Sequence, residues 1–333
     1  MNLATTRFES ARRVLAQPLF RALLALVIIL CLGALFNAEG SFFRWETHRD
    51  MLRHISRYGI LACGMTLVII TGGIDLAVGS VLGLVSVLSA LLMIHWGWTP
   101  LAAVPACLMV GLCCGTTSGA LIARFRVQPF IATMAMMVFA RGVAKYISGG
   151  RKISQGVQTE DGFVYLDFPR FFDLLNARIL GENIAVVTLV FLACALAAGL
   201  LLARFRPGRY FYAIGGNEEA ARLSGVPVAR TKTLAYALSG MFAAVAGICQ
   251  AAQETQGDPE AGGSYELTAI AIVVIGGTNL MGGRGSMALT LVGALTIGYL
   301  EKILSLNAVG EAGRLMLTGF IIVAAVLFQR GKN

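Results

Sequence analysis

The sequence predicts an all-α, polytopic membrane protein: a single domain over residues 1–333 with about ten transmembrane helices. Three observations carry this. Hydrophobic residues make up 57% of the chain and charged residues 14%, with a mean hydropathy of +0.74, whereas a soluble domain carries about 25% charged residues. Several apolar runs reach the roughly 20 residues that a helix needs to cross a hydrocarbon layer of about 30 Å. Phe20–Phe36, Leu101–Ala123, Ile184–Ala203 and Leu315–Phe328 are examples. Finally, the net charge of +9 comes from Lys and Arg in the short segments between these runs, where membrane topology places them. No aromatic–basic interleaving accompanies that charge, so no nucleic-acid partner is expected.

In chain order the expected spans are 20–36, 55–71, 80–94, 101–123, 128–147, 183–203, 232–252, 265–278, 286–304 and 312–328. Arg7, Arg12, Arg13 and Arg21 ahead of the first run imitate a secretory leader. That run is long enough to span, and no small-x-small cleavage site follows at Phe36-Asn37-Ala38-Glu39. It is read as a retained first helix preceded by a cytoplasmic segment, 1–19. The loops His95–Pro100 and Gln253–Ser264 hold no Lys or Arg, whereas Arg204–Lys232 holds six. Residues 149–182, with Glu160, Asp161, Pro169 and Asp173, are therefore a periplasmic loop, and 204–231 a cytoplasmic one. Both termini fall inside, with Arg330 and Lys332 in agreement. Arg44, Arg49, Arg53 and Arg57 work against this orientation.

Two spans run into glycine. The second continues as Thr71-Gly72-Gly73-Ile74-Asp75-Leu76-Ala77-Val78-Gly79-Ser80, and the eighth as Ile275-Gly276-Gly277-Thr278-Asn279-Leu280-Met281-Gly282-Gly283-Arg284-Gly285-Ser286. Each glycine weakens a helix by about 1 kcal/mol relative to alanine. The pattern is written twice: a glycine pair, one residue, Asp or Asn, Leu, then more glycine and Ser. Glycines permit close helix packing. Matched copies in two halves point instead to helix–break–helix units along a transport pathway, because broken backbone survives in a membrane only against protein or a water-filled cavity. Thr71, Gly72, Gly73, Asp75, Gly276, Gly277 and Asn279 are the candidate pathway residues.

Asp75 is the only carboxylate between Asp50 and Glu160. A carboxylate in a membrane needs water or a partner. It could line the pathway, accept hydrogen bonds from broken backbone, or couple transport to an ion. The matching Asn279 is neutral and carries no proton, which favours lining or structure. Arg141 and Lys145, four apart on the fifth span, fit snorkelling to the interface, as do Glu301 and Lys302 on the ninth. Arg141, the deepest, is also a weaker pathway candidate.

The seven cysteines fall in apolar stretches and His48, His54 and His95 are scattered, so neither disulfides nor a metal site is expected. None of the five lysines stands in a G-x-x-x-x-G-K-[ST] loop, and no H-E-x-x-H or G-x-S-x-G occurs. No catalytic residue or cofactor is expected, and the chain is not read as an enzyme. If ATP drives transport, another subunit must hydrolyse it.

Within the basic loop, Asn217 is an N-cap, Glu218 and Glu219 fill the first turn, Ala220, Ala221, Arg222 and Leu223 follow, and Gly225 ends the helix. A helix of about two turns is unstable alone in water. It packs either on this chain or on a partner.

The run Gly208–Val226, the run Ile70–Ser80 and the late glycine-rich run Val274–Ser286 occur in order and each exceeds ten residues. Together they resemble permease subunits of bacterial ABC importers, specifically the monosaccharide permeases of ribose, xylose, arabinose and galactose type, over roughly residues 55–328. The resemblance implies a pair of permeases, either two copies or two related chains, in the inner membrane. It also implies cytoplasmic ATPase subunits that receive Asn217–Leu223 as a coupling helix. A periplasmic binding protein would deliver the solute, and alternating access would drive import. Membrane lipid is the remaining partner. An ion-coupled secondary transporter is the main alternative, since Asp75 and the broken helices would suit it; a membrane-embedded enzyme is a further one.

Overall fold

The computed structural model describes residues 18–159, 162–310, 312–317, 319, 320 and 323. Outside them lie most of the expected 1–19 segment, Glu160, Asp161, much of the tenth expected span, and Arg330 and Lys332. The described elements are helices, apart from two short hairpins.

Helix α1 is Pro18–Leu35, α2 Trp45–Ile70 and α3 Val78–Ala90, which a π-helical turn at Leu91–His95 continues. Then come α4 (Pro100–Arg124) and α5 (Pro129–Ser148). Pro100 and Pro129 each sit in a first turn, where a missing N–H loses nothing. Residues 149–185 hold the hairpin of β1 (Gly156–Thr159) and β2 (Gly162–Tyr165), α6 (Arg170–Asn176), and the hairpin of β3 (Arg178–Ile179) and β4 (Ile184–Ala185). Helix α7 is Val186–Arg204, α8 Arg206–Gly216, α9 Glu218–Leu223, α10 Val228–Glu254, α11 Tyr265–Ile275 and α12 Met287–Leu306.

Seven described helices are long and apolar enough to cross a membrane: α1, α3 with its π turn, α4, α5, α7, α10 and α12. Their burial is graded. Helices α2, α3 and α10 form the centre, and most of their side chains are sealed from any solvent. Helices α1, α5 and α7 present apolar side chains outward, among them Val27, Ile28, Val138, Phe139, Leu192 and Leu196. An apolar surface of this extent is unsuited to water and suited to lipid. Helix α4 packs on α10 through Gly111, Gly115 and Gly119. A β-carbon on Gly115 would lie 2.1 Å from the carbonyl oxygen of Tyr236. Small residues four apart let two backbones touch in this way.

Two expectations need correction. Helix α2, which covers the second expected span, begins at Trp45, ten residues before the expected start at 55, and so carries Arg49, Arg53 and Arg57 on the helix itself. These cations opposed the charge rule because their role is tertiary. Arg178 pairs with Asp50 at 2.6 Å, Arg53 donates to Asn176, and Arg57 donates to Gln250 and faces Glu254 at 3.6 Å. Residues 206–216, expected as loop, are helix α8. The glycine pair Gly215-Gly216 hides its amphipathic pattern, which buries Gly208, Phe211 and Ile214.

The bundle has two distinct ends. One carries the 149–185 segment, tied down by backbone pairing of Ile153 with Gly257 and by Lys152–Asp258 (3.0 Å). The other carries α8, α9 and the chain from 276 to 286.

Candidate translocation and coupling site

Helix α2 ends with a glycine-dependent cap. The Gly72 N–H reaches Ile69 O (2.9 Å), the Gly73 N–H reaches Val68 O (3.2 Å), and Gly72 sits at φ +80°. Such a left-handed residue satisfies the last carbonyls of a helix, and glycine adopts it without strain. Helix α11 ends the same way: Gly277 N–H to Val274 O (2.9 Å), Thr278 N–H to Val273 O (3.1 Å), with Gly277 at φ +102°. The equivalent caps are thus Gly72 and Gly277, the first glycine of one pair and the second of the other. The helix ends are one residue out of step with the written motif.

The acidic and amide residues then make matching turns. Asp75 Oδ1 accepts from the Ala77 N–H at 3.0 Å, and Asn279 Oδ1 accepts from the Met281 N–H at 3.1 Å. Short polar side chains commonly bond their own backbone two residues on. Asp75 is 3% exposed, while Asn279 is part-exposed and Met281 is 81% exposed. Gly73 packs on the hydroxyl of the fully buried Tyr236, which donates to Ile74 O at 3.4 Å. Thr71 is buried and donates to Val68 O at 2.7 Å, so its hydroxyl is engaged in the cap.

The two breaks touch through residues that the sequence alone did not single out. The Gly283 N–H donates to Ile70 O at 2.9 Å, satisfying an end carbonyl of α2. Gly282 packs on Gly72 and Gly215. Gly276 and Gly277 instead lie against Leu289 of α12 and Pro18 of α1. The expected pathway residues are therefore not brought to one point: Gly72, Gly73 and Asp75 form one group, Gly276 and Gly277 another, and the contact runs through 281–283.

Helix α8 sits on this contact. A β-carbon at Gly215 would fall 1.9 Å from Ile70 O and 2.4 Å from Gly283 N. The Tyr212 hydroxyl donates to Gly285 O at 2.8 Å, and burial pushes its phenol above the ordinary range, which keeps it a donor. From α8 the chain turns directly into α9. Asn217 Oδ1 accepts from the Ala220 N–H at 3.0 Å, the expected N-cap bond. Gly225 follows at φ +81°. Glu218 is held by Lys232 of α10 at 2.5 Å and by Arg222 at 3.4 Å. Ala221 is buried beneath the helix, and Glu219, Ala220, Arg222 and Leu223 face outward, with Leu223 81% exposed.

Arg141 donates to the carbonyls of Pro259 and Ala261 and packs against Gly83. It anchors the chain before α11. Among the described residues all seven cysteines are free and no cluster of His, Cys, Asp and Glu could hold a metal.

With this geometry in place, comparison with known proteins decides the family. Residues 49–326 match the family described as the permease component of the branched-chain amino acid transport system. The ribose import permease protein RbsC of Escherichia coli (strain K12) is 38% identical over 332 residues, 99% of this chain and 100% of that one. The chain belongs to this family. The L-arabinose transport system permease protein AraH of the same strain is 37% identical over 287 residues, covering 84% of this chain and 81% of that one. The fructose import permease protein FrcC of Rhizobium meliloti is 34% identical over 316 residues, covering 95% and 86%. No solved structure matches. A member of this family is a permease component and not itself an enzyme, in keeping with the missing phosphate loop.

Proposed function

We propose that this chain is the membrane-spanning permease subunit of an ATP-driven importer. It moves a monosaccharide or similar small polar solute across a bacterial inner membrane by alternating access. Ten spans place both termini, the 1–19 segment and the 204–231 loop in the cytoplasm, and the 149–182 loop in the periplasm. Its partners are a second permease copy or a related chain, cytoplasmic ATPase subunits, a periplasmic binding protein and membrane lipid.

The observation that carries this reading is the seating of α8 under both helix breaks. Helix α9, too short to be stable alone, projects from it with Glu219, Arg222 and Leu223 outward. An ATPase that grips Asn217–Leu223 would move α8, and α8 packs on Ile70, Gly282 and Gly283 with no side chain between. The breaks containing Thr71, Gly72, Gly73, Asp75, Gly276, Gly277 and Asn279 would form a repeated pair of pathway elements hinged at that contact. The Asp75 and Asn279 turns support a structural role for both side chains.

The test is purification of this chain from its native membrane in mild detergent, with the stoichiometry of co-purifying subunits. A P-loop ATPase in amounts equal to total permease is expected. A homo-oligomer without ATPase, reproduced across detergents, would overturn this reading in favour of an ion-coupled transporter centred on Asp75.

A further inference from the structure

The tetrapeptide Ala-Arg-Phe-Arg occurs twice, as Ala123–Arg126 and Ala203–Arg206. Each copy closes a helix able to span, α4 and α7, with the phenylalanine as its C-cap. Both lie at the end of the bundle that carries α8 and α9. Helix α8 follows Phe205 directly, and Gly119 near the end of α4 packs on Thr233, next to the Lys232 that holds Glu218. In both copies the phenylalanine and its two arginines are exposed. None of the four arginines forms an ion pair or a side-chain hydrogen bond among the described residues.

The surroundings of the two copies differ. At the first, the chain turns back at once: the Val127 N–H donates to Leu121 O at 3.2 Å, and α5 begins at Pro129 and lies against α4. At the second, α7 and α10 part. The main neighbours of α10 are α4, α2 and α3, whereas α7 lies against α2, α8 and α12. An apolar groove of about 220 Å³ is left between them, with Ala197, Ala198, Leu201 and Phe205 on one wall and Met241 and Phe242 on the other. No lining residue carries a charge. Leu196 and Leu200 on the adjacent flank of α7 are exposed, so the groove opens on a surface suited to lipid.

Beyond Phe205, α8 opens with Arg206 and Arg209 and has no acid in its first turn. Residues three apart share a helix face, and cations in a first turn oppose the helix dipole. Arg204, Arg206 and Arg209 thus place three exposed guanidinium groups around the mouth of an uncharged groove, and no carboxylate of the described chain answers them. Guanidinium groups bind phosphate through paired hydrogen bonds. A headgroup ammonium would be repelled by the same arginines, so the charge selects a net-negative headgroup.

We propose that Arg204, Arg206, Arg209 and the groove between α7 and α10 form a site for one anionic phospholipid in the leaflet at the α8 end. The phosphate lies on the arginines, and the first part of one acyl chain fills the groove past Phe205. The site requires only that the chain sit in a bilayer, and it stands apart from the importer reading.

The experiment reconstitutes Phe205→Trp, and Phe125→Trp for comparison, in vesicles of phosphatidylcholine and phosphatidylglycerol, with one or the other lipid brominated near the ester end of its chains. Quenching of the parent chain, which holds Trp45, Trp96 and Trp98, is subtracted. The preference for phosphatidylglycerol at Phe205→Trp should exceed that at Phe125→Trp by about fivefold or more, the worth of one further cation at a membrane surface. Adding Arg209→Gln, or Ala197→Phe to fill the groove, should bring the two positions level. Equal preference in the unmodified pair would reduce the site to general surface attraction and overturn it. An inserted Phe205→Trp chain that neither brominated lipid quenches would show the groove covered by protein, such as a second copy, and would also overturn it. If Phe205→Trp does not fold, the lipid retained by the parent chain through detergent exchange is weighed by mass spectrometry. Phosphatidylglycerol should be retained over phosphatidylethanolamine, released by Arg204→Gln with Arg209→Gln and kept by Arg124→Gln with Arg126→Gln. Retention that the first pair leaves unchanged refutes the proposal.

Discussion

The two glycine-rich breaks are written alike and folded unlike. Both end a helix with a left-handed glycine, at Gly72 and Gly277, and both turn on a side-chain oxygen, at Asp75 and Asn279. The first then enters α3 within three residues and is largely buried, and α3 packs on α10 and α5. The second takes eight residues to reach α12 and leaves Met281 at the surface. The shorter break surrounds its carboxylate with protein. The longer one supplies Gly282 and Gly283, which close on the end of α2 and on α8. One motif thus gives a buried element in one half and a contact element in the other.

The largest expected effect on the stability of the whole bundle separates two neighbours at that contact. Gly215→Ala would drive a β-carbon into Ile70 O, whereas at Gly216 a β-carbon meets nothing within 4 Å. Overpacking of this kind typically costs about 1–3 kcal/mol. Thermal unfolding in detergent should show a loss for Gly215→Ala and little change for Gly216→Ala. Equal behaviour would remove the idea of a tight seat for α8. Gly283→Ala adds strain of about 1–2 kcal/mol, because its φ is +73°.

The next effect tests the outward helix. The Ala221 N–H donates to Asn217 O at 2.9 Å, and proline there removes that bond at about 3 kcal/mol or more, confined to α9. The Ala221→Pro chain should insert normally while ATP hydrolysis by its partner no longer drives uptake. Coupled uptake at the parental rate would refute a docking role for Asn217–Leu223.

Substitutions at the two turns are smaller and sharpen the comparison directly. Asp75→Asn keeps an acceptor for the Ala77 N–H and should retain substantial transport in vesicles. Complete loss with normal insertion would return ion coupling to Asp75. Asp75→Ala leaves a buried N–H unpaired, an expected loss of about 1–3 kcal/mol read by denaturation in detergent. Asn279→Ala, where water can replace the side chain, should lose less than Asp75→Ala. A larger loss at Asn279 would invert the assignment of buried and contact roles.

The sequence by itself determined the membrane fold class, the approximate place of the seven described helices able to span, the cap at Asn217 and the two helix ends at glycine. These are local properties: apolar length, a side-chain oxygen before a first turn, and a residue free to take positive φ are all legible over a few positions. It also carried the family, through three ordered motifs. The tertiary structure decided the rest. Arg57 looked like a topological anomaly until α10 brought Gln250 and Glu254 to it. Gly215 looked like a loop residue until Ile70 and Gly283 closed on it. Arg141 had no partner in the sequence until the fold brought it the carbonyls of Pro259 and Ala261. Each joins positions more than 60 residues apart, and no local period or spacing records which distant backbone a side chain will meet.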